Sequence, residues 1–149
     1  MKQLPEHGPC FVCGTANPRS LGVRWFVQDD GTIVGEVTLD IHQQGPPGHG
    51  HGGASAALLD EAMGSAVWTA GYMVLAANLN VDFRRPVPLG VPLKITANVV
   101  DKSGRKVYTR AELLLPDGQV AVKANGIFVE APHLFTRVEN HFTNLLPDA

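Results

Sequence analysis

The segment His51-Gly52-Gly53-Ala54-Ser55-Ala56-Ala57-Leu58-Leu59-Asp60-Glu61-Ala62-Met63-Gly64-Ser65-Ala66-Val67-Trp68 decides how the rest of the chain is read. From Ala54 to Trp68 it is rich in alanine and leucine and apolar nearly all round, the one clear helix in the chain. Such a helix is buried rather than lying on a surface. Ala56, Ala57 and Gly64 are small enough to let another backbone come close, and Gly71 marks the end of the helix.

Working outward, residues 40–53 hold Gly45, Pro46, Pro47, Gly48, Gly50, Gly52 and Gly53, a break that glycine and proline both impose. Before it, Leu21–Gln28 and Thr32–Leu39 alternate apolar and polar residues across an Asp29-Asp30-Gly31 turn signal, which predicts a β-hairpin. After Gly71 come four strand-like segments, at 73–84, 91–101, 105–115 and 119–130. Pro86, Pro88 and Gly90, then Ser103-Gly104, then Pro116-Asp117-Gly118 separate them. Residues 1–20 read as an irregular arm, and the tail 131–149 carries no clear pattern. The order of two strands, one helix and four strands argues against a parallel doubly wound sheet. It predicts an α+β domain over residues 1–149, one antiparallel sheet wrapped around one central helix. One sheet leaves a side of an all-apolar helix open, so a second copy is expected to cover it, giving at least a dimer.

Composition narrows the function. The chain has 149 residues, 44% hydrophobic and 17% charged, with net charge -2, which offers no general attraction to nucleic acid or an anionic membrane. No apolar run reaches the length of a membrane span, and residues 1–9 lack a signal-peptide core, so a cytoplasmic location is expected. No internal repeat stands out. Cys10 and Cys13 form a C-x-x-C pair in a loop context. With His7 they offer three metal ligands, but no nearby fourth is evident, and a structural loop is favoured. His42, His49 and His51 fit no standard metal site, so neither a metal nor a cofactor is expected.

Asp60 needs a reason to stand in an apolar helix, because burying an unpaired charge is costly. At a helix edge it would simply reach solvent, and Glu61, about 100° further round, is expected to cap, pair or face water. Alternatively Asp60 does chemistry. His51-Gly52-Gly53 supplies the free N–H groups and partial positive charge of a helix N-terminus, where an oxyanion fits. Asp60 lies about 10 Å along the axis from Gly53 at about 1.5 Å per residue, far for one acyl group. An antiparallel second copy would bring Asp60 of one chain near Gly52 of the other. Arg84, Arg85, Lys94, Lys102, Arg105 and Lys106, set against Asp101 alone, make residues 84–106 a basic stretch suited to phosphates or to solvated strand ends.

The run H-G-G-A-S-A-A-L-L-D-E-A-M-G (51–64) followed by A-N-L-N-V-D-F-R-R-P-V-P-L-G (77–90) resembles the hotdog-fold acyl-CoA thioesterases of the phenylacetate-pathway type. The C-F-V-C-G opening recurs in bacterial members of that group. The resemblance implies an antiparallel sheet around a central helix, dimers or tetramers with active sites at subunit interfaces, and acyl-CoA as substrate. It implies Asp60 as catalytic base or nucleophile, Gly52 as the N–H that polarises the thioester carbonyl, and His51 as a shaper of the loop. Gly53, Asn78, Arg84, Arg85, Arg105 and Lys106 are the implied substrate-binding residues. Two positions depart from the pattern. Gly45, with Gln44 beside it, stands where relatives carry a carbonyl-binding asparagine, and Ala76 where they carry a hydroxyl that places water. Ser55, Ser65 or Asn78 would have to stand in. Those departures keep two alternatives open, a non-catalytic acyl-CoA binding protein and, ranked lower, a hotdog dehydratase or hydratase, which would rely on a histidine paired with an acid.

Overall fold

A computed structural model describes residues 1–135. Seven strands and one α-helix follow in the order β1 (Lys2–Gln3), β2 (Arg24–Val27), β3 (Ile33–Thr38), α1 (Gly52–Thr69), β4 (Val74–Phe83), β5 (Pro92–Ser103), β6 (Lys106–Leu114) and β7 (Val120–Glu130). They form one sheet in the order β1-β2-β3-β5-β6-β7-β4, with every neighbouring pair antiparallel. The α+β architecture expected from the sequence is therefore present: α1 crosses one face of the sheet and touches every strand from β2 to β7.

Alternation along the strands decides which face meets the helix. Leu93, Ile95 and Ala97 of β5 and Val107, Thr109, Ala111 and Leu113 of β6 point inward and are buried. From α1, Leu58, Leu59, Ala62, Met63, Ala66 and Val67 close onto them. Burying side chains of this size contributes about 1.5–3 kcal/mol each for the leucines and Met63. Thr109, the one polar residue buried on β6, donates its hydroxyl to Gly126 O at 2.9 Å, so it costs little.

Three expectations shift. The arm is not wholly irregular: β1 pairs with β2, and Leu4 N–H donates to Trp25 O at 2.8 Å. The first predicted strand, 21–28, shortens to Arg24–Val27, because Leu21 N–H and Val23 N–H bond the arm at Phe11 O and Val12 O instead of a strand partner. The helix begins at Gly52 rather than Ala54, because His51 caps it, its Nδ1 accepting the Gly53 N–H at 2.8 Å. Of the tail, a single 3₁₀ turn at Pro132–Leu134 is described, and residues 136–149 lie outside the described residues.

Among the described residues β4 is an edge strand, paired with β7 alone, and its register is interrupted by a bulge between Ala76 and Asn78. Leu75, Leu79 and Phe83 on it are exposed. A long edge with open backbone groups and apolar side chains is a surface that proteins ordinarily cover.

Candidate functional site

One face of α1 is turned away from the sheet core toward the arm. Ala57, Asp60, Glu61, Gly64, Ser65 and Trp68 project there, and with Phe11 of the arm, Val74 and Ala76 of β4 and Phe128 of β7 they bound a mostly apolar cleft of ≈ 410 Å³. Asp60 sits in its wall, half-buried. Among the described residues it has no hydrogen-bond or ion-pair partner, and burial alone pushes its carboxyl above the usual carboxylate range. By three- and four-residue spacing Asp60 is expected to share a helix face with Ala56, Ala57, Gly64 and Val67; Ala57 and Gly64 line the cleft with it, and Ala56 does not. Val67, expected on the same face, is instead buried in the core.

Glu61 is its neighbour in sequence and its opposite in surroundings. Its Oε2 accepts the Trp25 indole N–H at 2.6 Å, and its Oε1 lies 2.7 Å from both Cys10 Sγ and His7 Nε2. Pairing is thus its role, and the partners come from the arm and β2. Burial raises the Glu61 carboxyl, while the hydrogen bond from His7 opposes that rise. His7 is pushed up to about 10, with the hydrogen bond to Cys10 the leading cause.

The glycine motif opens elsewhere. Gly52 lines a shallow depression of ≈ 470 Å³ with Ser55, Phe83, Arg84 and Arg85, and this depression shares no residue with the Asp60 cleft. Since the Gly53 N–H is held by His51, the Gly52 N–H is the one at this helix start without an acceptor among the described residues. The Gly52 N–H is therefore left available as a donor, while His51 caps the helix. The 51–53 motif and Asp60 therefore do not meet within one chain, in keeping with the separation computed from helix rise.

One of the two departures has a structural cause. A side chain on Gly45 would run into the His51 backbone, its Cβ 2.8 Å from His51 Cα, so this loop has no room for an asparagine at that position. Gln44 does not replace it, because its side-chain oxygen accepts the Gly48 N–H at 2.9 Å. Ala76 does line the Asp60 cleft, as does Ser65, whereas Ser55 is buried beside Gly52. Asn78 is exposed on β4 just past the bulge and does not line the cleft.

The basic stretch is split by the fold. Arg84 and Arg85 N–H groups bond Ala121 O at one end of β7, whereas Arg105 O accepts the Glu130 N–H at the other. Nine residues of strand separate them, about 30 Å. Arg105 is also engaged through its guanidinium with Glu130 O, and Lys102 pairs with Glu130 Oε2 at 3.3 Å and stands over the Tyr72 ring. Lys106 is exposed at the same end. Arg84 and Arg85 alone adjoin Gly52. A contiguous basic patch from 84 to 106 is therefore not formed within one chain, since adjacency in sequence across two hairpins is not adjacency on a sheet.

Comparison with known proteins identifies the scaffold. The sequence model of the thioesterase superfamily matches residues 47–122, just over half of the chain. The chain belongs to the thioesterase superfamily. Within this superfamily it is 37% identical over 89 residues to acyl-coenzyme A thioesterase THEM4 of Xenopus laevis, a match covering 58% of this chain and 40% of that protein. The chain thus spans about two fifths of the length of the curated relatives it matches. A crystal structure of a thioesterase superfamily protein superposes with a TM-score of 0.77 at 42% identity, over 83% of this chain and 63% of that one. A Streptococcus mutans protein bound to acetyl CoA superposes with a TM-score of 0.69 at 16% identity, over 73% and 88% respectively, a likeness of fold. The antiparallel sheet around one helix is the hotdog fold of this superfamily.

The sequence reading did not find the assembly of His7, Cys10, Trp25 and Glu61. The local signal was present in His7-x-x-Cys10-x-x-Cys13, together with a second acid, Glu61, inside an apolar helix. The contact joining them spans 51 residues, beyond the reach of any local pattern.

Proposed function

We propose that this chain hydrolyses acyl-CoA thioesters to free acid and CoA, in a site completed by a second copy. The observation that carries the reading is Asp60: a half-buried carboxylate without a partner among the described residues, in the wall of an apolar cleft. Such a group costs stability and is retained for chemistry. Asp60 acts as the base that activates water or as the nucleophile itself. The Gly52 N–H at the start of α1 polarises the carbonyl, Arg84 and Arg85 beside it hold CoA phosphates, and the acyl tail lies against Trp68, Val74 and Phe128. The CoA thiol has a pKa near ~8.5 and leaves readily as thiolate, so these groups suffice.

The exposed apolar edge of β4 supports the dimer. Two β4 strands paired antiparallel would continue the sheet across the copies. They would lay the Gly52, Arg84 and Arg85 end of one chain beside the Asp60 cleft of the other, and bring Arg105 and Lys106 alongside from the partner. Leu79→Lys, placed on that edge, is expected to give a folded monomer by sedimentation that has lost turnover.

A second reading, acyl-CoA binding without turnover, is favoured by Ala76 and Gly45, which lack the hydroxyl and amide of the pattern. A dehydratase ranks below both, because it would rely on a histidine paired with an acid, and among the described residues no histidine pairs with Asp60. Free-thiol release from short, medium, long and aromatic acyl-CoAs decides among them. Hydrolysis by the native protein that disappears in Asp60→Asn, with CoA binding intact, supports the thioesterase. Tight CoA binding with no release from any substrate establishes the binding protein instead.

A further inference from the structure

His7, Cys10, Cys13 and Glu61 converge so that one donor atom from each lies within 4.8 Å of every other. We propose that these four residues form a tetrahedral site for a structural zinc ion, which clamps the N-terminal arm onto α1 next to the Asp60 cleft. Two thiolates, an imidazole and one carboxylate oxygen are a donor set that suits zinc.

The spacing fits. With Zn–N and Zn–O bonds near 2.0 Å and Zn–S near 2.3 Å, the edges of the tetrahedron are about 3.3–3.8 Å. With Nε2 as the His7 donor, the observed separations straddle that range, from 2.7 Å for Cys10 Sγ and His7 Nε2 to Glu61 Oε1, to 4.0 Å between Cys13 Sγ and His7 Nε2. Side-chain adjustments of under about 1 Å make room for the ion.

The surroundings are those of a built site. Val12 N–H donates to Cys10 Sγ at 3.3 Å, as a ligating thiolate requires, and Gly14 N–H closes the turn on Cys10 O at 3.0 Å. No side chain fits at Gly14, since its Cβ would stand 2.3 Å from Cys10 N. The C-x-x-C-G segment is therefore wound as tightly as a metal-binding knuckle demands. Both cysteines are free thiols, and Cys13 is buried at 5% exposure. On the far side, Trp25 N–H occupies Glu61 Oε2 and leaves Oε1 directed at the cluster, the outer-shell contact that orients a ligating carboxylate.

Four protein ligands close the coordination shell, so the ion is structural and not a Lewis acid for the reaction. Its effect on the neighbouring cleft is indirect: His7, Cys10 and Phe11 are part of the cleft wall, so holding the knuckle holds that wall.

The full chain, purified under reducing conditions without chelator, is expected to carry about one zinc per chain by elemental analysis. Replacement with cobalt(II) is expected to give thiolate charge-transfer absorption and intense tetrahedral d–d bands. Both should disappear in Cys10→Ser/Cys13→Ser, and Trp25→Phe should weaken zinc binding about 10–100-fold in a chelator competition. Folded, reduced wild-type protein that takes up neither zinc nor cobalt overturns the proposal without reference to any variant. So does a cobalt complex lacking thiolate charge transfer, or a spectrum that the double cysteine variant leaves unchanged.

Discussion

Asp60 and Glu61 are adjacent carboxylates on one buried helix, yet their environments are opposed. Asp60 faces apolar side chains and has no donor among the described residues. Glu61, a step of about 100° further round α1, has an indole N–H, an imidazole and a thiol within hydrogen-bond distance. An acid whose oxygens are saturated holds structure together. An acid left unsatisfied in an apolar wall is held in a state that chemistry can use. The comparison also separates two halves of the chain: the thioesterase core carries Asp60, while the arm supplies most of what Glu61 binds.

The largest expected effect breaks the comparison from the Asp60 side. Asp60→Asn keeps size and shape and removes the carboxylate proposed as base or nucleophile, so acyl-CoA turnover should fall about 100- to 10,000-fold. Thermal stability should hold or rise slightly, by under about 1 kcal/mol, because no partner is lost. A variant that unfolds, or one that keeps full turnover in a thiol-release assay, would place Asp60 among the structural acids.

Glu61→Ala is the mirror experiment. It leaves Trp25 Nε1, Cys10 Sγ and His7 Nε2 without their shared acceptor, and the loss in denaturant unfolding should be about 3–5 kcal/mol. Turnover per folded molecule should stay within about tenfold of the native value. Trp25→Phe tests the same side more gently. Removing one hydrogen bond to a charged acceptor should cost about 2 kcal/mol by equilibrium denaturation, with no change in substrate preference.

The smallest effect sharpens the Asp60 side. Ser65 lines the same cleft and is placed to supply the hydroxyl that Ala76 lacks. Ser65→Ala should lower kcat by less than about tenfold, roughly 1.4 kcal/mol, with KM unchanged. If kcat does not move, water is placed by something other than this hydroxyl.

Much of the fold was legible because its signals are local. The apolar run 54–68, the glycine break before it and the two-residue alternation of the strands each extend over a few residues, and each predicts its element. Asp60 stood out for the same reason, as a charge in an apolar stretch, and so did the free N–H groups at 51–53, which follow from a helix having a first turn, whereas the choice of Gly52 among them came from the family resemblance. Where the sequence reading fell short, the missing information was long-range. The arm's pairing with β2 and Trp25, the split of the basic stretch between opposite ends of the sheet, and the loop that leaves no room for a side chain at Gly45 all depend on register among distant segments.

The sequence by itself thus determined that there is one buried helix inside an antiparallel sheet, that a glycine-rich break leads into it, and that it carries an acid without a local partner. Only the tertiary structure decided that Asp60 and Gly52 open onto different surfaces of the same chain, and that Glu61 reaches back to His7, Cys10 and Trp25. Helix periodicity places side chains relative to their own axis. What they meet is set by the sheet and arm folded against that axis, which no pattern within a few residues encodes.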